Sequence, residues 1–267
     1  MIQNKTALFE LRGIRKEFPG GVRALDGIDL DIFEGECLLV AGSNGSGKTI
    51  LMRILARLLE ASEGTIDFRG EAPGTEAAKK SSFNQSHQSH QFRQTLGLVF
   101  QDPDAQFVGE TVEEDAAFGP SNLGLSKTET TERAASALEK TGLWEKRKLP
   151  PRRLSGGEKR RLAVAGVLAM GCRVIIMDEP FANLDWPGVV QVLNVIRTLK
   201  EEGTTLIILT HELEKVLAFA DRLVILHEGR IREDGKPDEV LDRLRPEYGV
   251  RDPRRTYTNV EDCSWLN

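Results

Sequence analysis

The sequence predicts an α/β fold: a core sheet built around a phosphate-binding loop, with a helical lobe inserted between its strands. Three observations carry this prediction. Gly42-Ser43-Asn44-Gly45-Ser46-Gly47-Lys48-Thr49 fits the spacing G-x-x-x-x-G-K-[ST], between an apolar run at 36–41 and a helical apolar pattern at 50–59. Further apolar runs at 96–100, 173–177 and 205–209 end on polar or acidic residues, as buried strands do when they deliver side chains to one sheet edge. Between the first and second of these, residues 111–148 are polar and helix-prone and interrupt the α/β alternation.

In chain order, 7–18 and 24–32 read as strands. Leu25, Ile28, Leu30 and Ile32 fall near alternation, and Pro19-Gly20-Gly21 supplies a turn. Phe18, just before that turn, is placed to stack on an adenine ring, although a lone phenylalanine in a strand is more often core. Residues 36–41 read as a buried strand, 50–59 as the helix after the loop, and 64–68 as a short strand. Residues 70–94 are rich in Ser, Gln, His and Lys and read as a low-complexity surface insertion. His87 and His90 are three apart there, but no cysteine or carboxylate is close enough to complete a metal site. The strand at 96–100 ends at Gln101. Thr111-Val112-Glu113-Glu114 has capping-box spacing, and Gly119-Pro120 and Gly142 punctuate the helical block. Leu154-Ser155-Gly156-Gly157-Glu158 opens a helix over 159–170, with Ser155 and Glu158 again at capping-box spacing. From about 236 the chain is charged and carries Pro237, Pro246 and Pro253, with too few apolar residues for a separate domain.

Bulk properties narrow the function. The chain has 267 residues, enough for one large α/β domain or a core with a smaller lobe. Its net charge of −5 does not indicate a general nucleic-acid-binding surface. Cys37, Cys172 and Cys263 form no C-x-x-C pair. The first two lie in apolar surroundings, which predicts reduced, buried thiols of a cytosolic protein. The start lacks a signal-peptide h-region and no stretch approaches 18 apolar residues, so the chain is not expected to cross a membrane itself.

The residue types at the loop follow from phosphate chemistry. Glycines let the backbone wrap a polyphosphate and turn successive N–H groups inward, and the following helix adds its N-terminal partial charge. Lys48 reaches the β- and γ-phosphates, and the Thr49 hydroxyl ligates Mg²⁺. The strand at 173–177 runs straight into Asp178-Glu179. Paired acids at such a point need a cation or exposure, so Asp178 is expected to support the metal and Glu179 to polarise a water. His211 arrives at the same edge, placed to contact a γ-phosphate or fix the attacking water. Gly156 and Gly157 weaken the first turn of their helix, which makes sense if an anion must approach the N–H groups closely.

With the loop, Gln101, Leu154–Glu158, Asp178-Glu179, Ala182-Asn183-Leu184-Asp185 and His211 in this order, residues 7 to about 235 resemble the ATP-binding-cassette (ABC) ATPases. The resemblance implies a P-loop NTPase core sheet with an antiparallel β subdomain, a helical subdomain at approximately 102–170, and a tail at 236–267. It implies a head-to-tail dimer around two Mg-ATP. Each nucleotide would lie on Gly42–Thr49 of one chain and against Ser155, Gly156, Gly157 and Glu158 of the other. By position Glu179 matches the base, Gln101 the Mg²⁺ and water sensor, Asp185 the interface acid, His211 the γ-phosphate switch, and Phe18 the adenine-stacking aromatic. Ser43, Ile50 and Trp186 depart from the residues most usual at their positions, but none removes a catalytic group.

The segment from Phe100-Gln101-Asp102-Pro103-Asp104-Ala105-Gln106-Phe107 through Thr111–Asp115 to Phe118–Leu125 is similar to a narrower group, the ATPases of energy-coupling factor importers of vitamins, cobalt or nickel. That similarity implies a peripheral protein on the cytoplasmic face of the membrane, with three kinds of partner: a second cassette, an integral transmembrane coupling protein and a separate substrate-binding membrane subunit. Phe107 and Val108 are expected either to form an apolar docking surface or to pack the lobe. A soluble cassette ATPase acting on nucleic acid or ribosomes is the alternative, and one contiguous cassette without a basic surface speaks against it.

Overall fold

In this computed structural model, which describes residues 7–68 and 95–254, the chain begins β1 (Ala7–Phe18), β2 (Val22–Phe33), β3 (Cys37–Ala41), α1 (Lys48–Leu55) and β4 (Glu63–Phe68). It continues through β5 (Leu96–Val99), α2 (Val112–Asn122), α3 (Lys127–Lys140), α4 (Gly156–Met170), β6 (Val174–Asp178) and α5 (Trp186–Glu201). Then follow β7 (Thr205–Thr210), the short α6 (Leu213–Val216), β8 (Arg222–His227), β9 (Arg230–Gly235) and α7 (Pro237–Leu241).

β1 and β2 form an antiparallel ribbon, with β4 antiparallel on the other edge of β1. The six-stranded core sheet has the order β5-β6-β7-β3-β8-β9 and is parallel except for the β8–β9 pair. Every residue of β3, β6 and β7 is buried, because both faces of these strands are covered. Their side chains alternate between two cores. Leu39, Ile175, Met177 and Ile208 join α4 and α5 on one face. Leu38, Val40, Ile176 and Ile207 join α1 and the antiparallel ribbon on the other. The expected α/β class and both subdomains are present.

The lobe has its own small core, in which Val112, Ala116, Ala134, Ala137, Leu138 and Leu162 bring α2 and α3 onto α4. Thr111–Glu114 and Ser155–Glu158 both close as capping boxes, and Ser126–Glu129 adds a third at the start of α3. α4 begins at Gly156, three residues before the expected start, since the capping box draws the glycines into the first turn. Beyond the expected boundary at 235, Val240, Leu241, Tyr248 and Val250 are buried in the α4–α5 core, so this part of the tail packs as one body with the sheet. Cys37 and Cys172 are free and buried, as expected, and burial pushes each thiol up to about 12. Cys263, His87 and His90 lie outside the described residues. Among the described residues no helix is long and apolar enough to cross a membrane.

Candidate nucleotide site

The phosphate loop leaves β3 and enters α1 across the end of the parallel sheet, where strands present their carboxyl ends. Gly42 is required by close approach: a Cβ there would lie 2.1 Å from the Leu226 carbonyl oxygen on neighbouring β8. Lys48 is buried, and its Nζ donates to the carbonyls of Gly42 (2.7 Å) and Ser43 (3.1 Å). Burial lowers its pKa, while the nearby charges of Glu179 and Asp178 act the other way.

The carboxylates are held from β7 and α1. The Thr49 hydroxyl donates to Asp178 Oδ2 at 3.0 Å. Asp178 Oδ1 is buried and has no hydrogen-bond partner among the described residues. Burial raises the Asp178 pKa, the Thr49 bond opposes this, and the neighbouring Glu179 adds to the rise. A buried, unpaired carboxylate oxygen beside a phosphate loop and a threonine hydroxyl is a donor set suited to Mg²⁺, which keeps waters and phosphate oxygens for its remaining positions. Glu179 follows in a left-handed backbone conformation, φ 46°. Such strain in a non-glycine residue persists where the surroundings fix it, commonly at functional sites. Its Oε1 lies 2.9 Å from His211 Nδ1 and 3.8 Å from Lys48 Nζ, and its Oε2 accepts from the Thr210 hydroxyl at 3.0 Å.

The structure therefore gathers Asn44, Gly45, Ser46, Gly47, Lys48, Thr49, Gln101, Glu179 and His211 around one cavity of about 240 Å³, with Asp178 behind Thr49. Phe18, Ser155–Glu158 and Asp185 do not line it. Phe18 is half-buried at the end of β1, with the Lys16 ammonium 5.3 Å from its ring centre, so it is not core. Ser155 and Gly156 are exposed at the start of α4, as a site for a second molecule requires.

Several of the expected site residues also have packing or capping roles within the chain. Gly157 is buried, and a Cβ there would lie 3.1 Å from Gly188 Cα. The close approach at that glycine is between α4 and α5 of the same chain. The Glu158 carboxylate accepts from the Ser155 N–H at 2.9 Å and is paired with Lys146, so it holds the helix cap. The exposed Asp185 caps α5 by accepting from the Gly188 N–H at 3.0 Å. Three supporting residues escaped the sequence reading: Thr210, Gln106 and Arg160. A threonine closing the buried strand β7 was the one visible signal.

A phosphate loop, a carboxylate beside its threonine, and a second carboxylate held by the next strand define a phosphate-loop nucleoside triphosphatase. The family model for ABC transporters matches residues 25–182, and the chain belongs to that family. It is 38% identical over 235 residues to the energy-coupling factor transporter ATP-binding protein EcfA of Methanococcus maripaludis, covering 88% of this chain and 81% of that one. A putative ABC transporter ATP-binding protein of Halobacterium salinarum is 42% identical over 234 residues, covering 88% and 95%. Among solved structures, cbiO1 of Clostridium perfringens, described as part of the ABC transporter complex cbiONQ, superposes with a TM-score of 0.78. It is 33% identical and covers 88% of this chain and 91% of that one.

Proposed function

We propose that this chain is the ATP-hydrolysing subunit of an energy-coupling factor type importer of a vitamin or transition-metal ion, working as one of a pair of cassettes. The observation that carries the reading is the placement of Glu179, buried, doubly held and facing the phosphate-loop cavity. ATP lies on the loop amides, with Lys48 released from the Gly42 and Ser43 carbonyls to the β- and γ-phosphates. Thr49 and Asp178 would hold Mg²⁺, which when bound neutralises phosphate charge. Glu179 accepts a proton from water as the water oxygen attacks the γ-phosphorus and the bond to the ADP oxygen breaks. Gln101 and His211 orient that water and the terminal phosphate. Ser155 and Gly156, with Asp185 at the contact, serve the nucleotide of the partner cassette, and Phe18 stacks on adenine.

The seat for a transmembrane partner is an apolar groove between β5, α2 and α4, about 390 Å³ in volume. Leu58 and Val108 (both 59% exposed) and Phe118 (49%) open it to solvent. Phe107 is half-buried and packs against both the main core and the lobe core, so the packing role falls to Phe107 and the exposed apolar surface to Val108. An integral coupling protein fits this reading, with a separate membrane subunit holding the substrate and the cassette peripheral on the cytoplasmic face. The relatives named as energy-coupling factor ATP-binding proteins support it over a nucleic-acid role.

The test is Val108→Asp. Soluble ATPase rate and melting temperature should stay near wild type, while co-purification with the transmembrane subunit falls. A charge in an apolar interface weakens binding by about tenfold or more. Unchanged assembly would exclude the groove as the seat.

A further inference from the structure

Gln101 lines the loop cavity, and the residue before it, Phe100, is held from two directions. The Phe100 N–H donates to Gln106 Oε1 at 2.9 Å, and Gln106 Nε2 donates to the Leu98 carbonyl at 3.0 Å. An N–H only donates and a carbonyl only accepts, so this pair of bonds fixes the orientation of the amide. Among the described residues β5 is one of the two edge strands of the sheet, and the Gln106 side chain takes the place of a peptide group from a further strand. On the other side, the Phe100 carbonyl accepts from Arg160 Nη1 at 3.3 Å. Nη2 of the same guanidinium donates at 3.2 Å to the Ala182 carbonyl, in the loop between Glu179 and Asp185. Arg160 is 3% exposed, and Asp102, Asp178 and Glu179 are the charges that favour its ionised form against burial. Gln106 also lines the apolar groove, so this clamp stands between the groove and the nucleotide cavity.

We propose that Gln106 and Arg160 are positioning residues for ATP hydrolysis: they fix the Phe100 peptide and thereby place Gln101 at the nucleotide. The proposal rests on the reading of Gln101 as a site residue. A fork that reaches two carbonyls is a task for arginine, since a lysine ammonium is a single point donor. Gln106→Met keeps length and volume and removes both amide bonds.

The experiment measures kcat and KM for ATP, nucleotide affinity and melting temperature on the purified full chain with Mg²⁺. The variants are Gln101→Ala, Gln106→Met, Arg160→Lys and the double variant Gln101→Ala/Gln106→Met. Each single variant should lower kcat by about tenfold, with KM and affinity within about twofold, the pattern of a lost transition-state interaction. The double variant should fall no further than Gln101→Ala alone, because both changes remove the same placement. A defect in folding alone would lower the melting temperature and multiply with Gln101→Ala. Gln106→Glu keeps the bond from the Phe100 N–H and loses the one to Leu98; it should show a smaller kcat loss and serves if methionine at 106 does not fold. Wild-type kcat in the clamp variants, with Gln101→Ala slow, overturns the clamp and leaves the Gln101 reading standing. Multiplying losses in the double variant do the same. Wild-type kcat in Gln101→Ala overturns both.

Discussion

His211 Nδ1 lies 2.9 Å from Oε1 of Glu179, while the hydroxyl of the preceding residue, Thr210, lies 3.0 Å from Oε2. Two consecutive residues at the end of β7 thus hold both oxygens of one carboxylate. Where the carboxylate accepts this bond, His211 Nδ1 is its donor. Thr210 is fully buried, and its Oγ1 also accepts from the Glu212 N–H at 3.0 Å, which fixes the hydroxyl rotor towards Glu179.

Thr210→Val should therefore lower kcat by about tenfold with little change in KM, because the isosteric methyl leaves Oε2 unheld and the base loses its alignment. His211→Ala should do more, about 10²-fold, since it removes the proposed contact to the terminal phosphate as well as an anchor of Glu179. Steady-state phosphate release over a range of ATP concentrations separates the two effects from binding.

Lys48→Ala should act on binding itself. The ammonium is already desolvated and held by two loop carbonyls, so little ordering is needed when phosphate replaces them. Loss of charge-assisted bonds worth about 2 kcal/mol raises Kd for ATP by roughly thirtyfold. Titration with a fluorescent nucleotide checks this, and unchanged affinity would exclude Lys48 from phosphate contact.

Asp115 Oδ1 accepts from the N–H groups of Val108 (2.8 Å) and Gly109 (3.0 Å), holding the loop that borders the groove. Burial raises its pKa, while these two bonds oppose the rise. Asp115→Ala leaves both N–H groups without that acceptor and should destabilise by about 2 kcal/mol, or roughly 4–8 °C in melting temperature. Asp115→Asn keeps Oδ1 and should stay within about 1 kcal/mol of wild type. Equal melting of all three proteins would contradict the role of the bonds.

The buried thiols set a pH dependence. Cys37 and Cys172 titrate near 9.0 when unfolded and about 12 when folded, because burial disfavours the thiolate. Between those values the unfolded chain binds fewer protons than the folded one, so stability falls as pH rises. The slope is about 1.4 kcal/mol per pH unit for each thiol, fully developed once the unfolded thiols are ionised. Below pH 9 the contribution is constant. Denaturant unfolding from pH 8 to 10.5 should show a shallower decline in a Cys37→Ala/Cys172→Ala variant than in wild type. Parallel declines would show that the thiols do not ionise on unfolding.

The most legible parts of this molecule are those where residue type answers a local demand. Gly42–Thr49 could be read because its glycines, lysine and threonine each serve a phosphate. β3, β6 and β7 could be read because two-sided burial makes an unbroken apolar run. The boxes at Thr111–Glu114 and Ser155–Glu158 are local in sequence, and both close. What stayed hidden depends on distant partners. That Gly157 packs against Gly188 shows only in the fold. Val240, Leu241, Tyr248 and Val250 are too sparse to announce a core, and become one only on the sheet. Arg160 sits in a run of three basic residues, and nothing local shows that its guanidinium is buried across Phe100 and Ala182.

Single-turnover hydrolysis by Glu179→Gln tests the central claim most directly. Glutamine keeps the size of the side chain and, through its one carbonyl oxygen, one of the two bonds to Thr210 and His211, but it cannot take a proton from water. The variant should bind Mg-ATP as tightly as wild type and release phosphate about 10²- to 10⁴-fold more slowly. Wild-type turnover by Glu179→Gln would contradict the assignment of Glu179 as the base, and with it the account of how this site hydrolyses ATP.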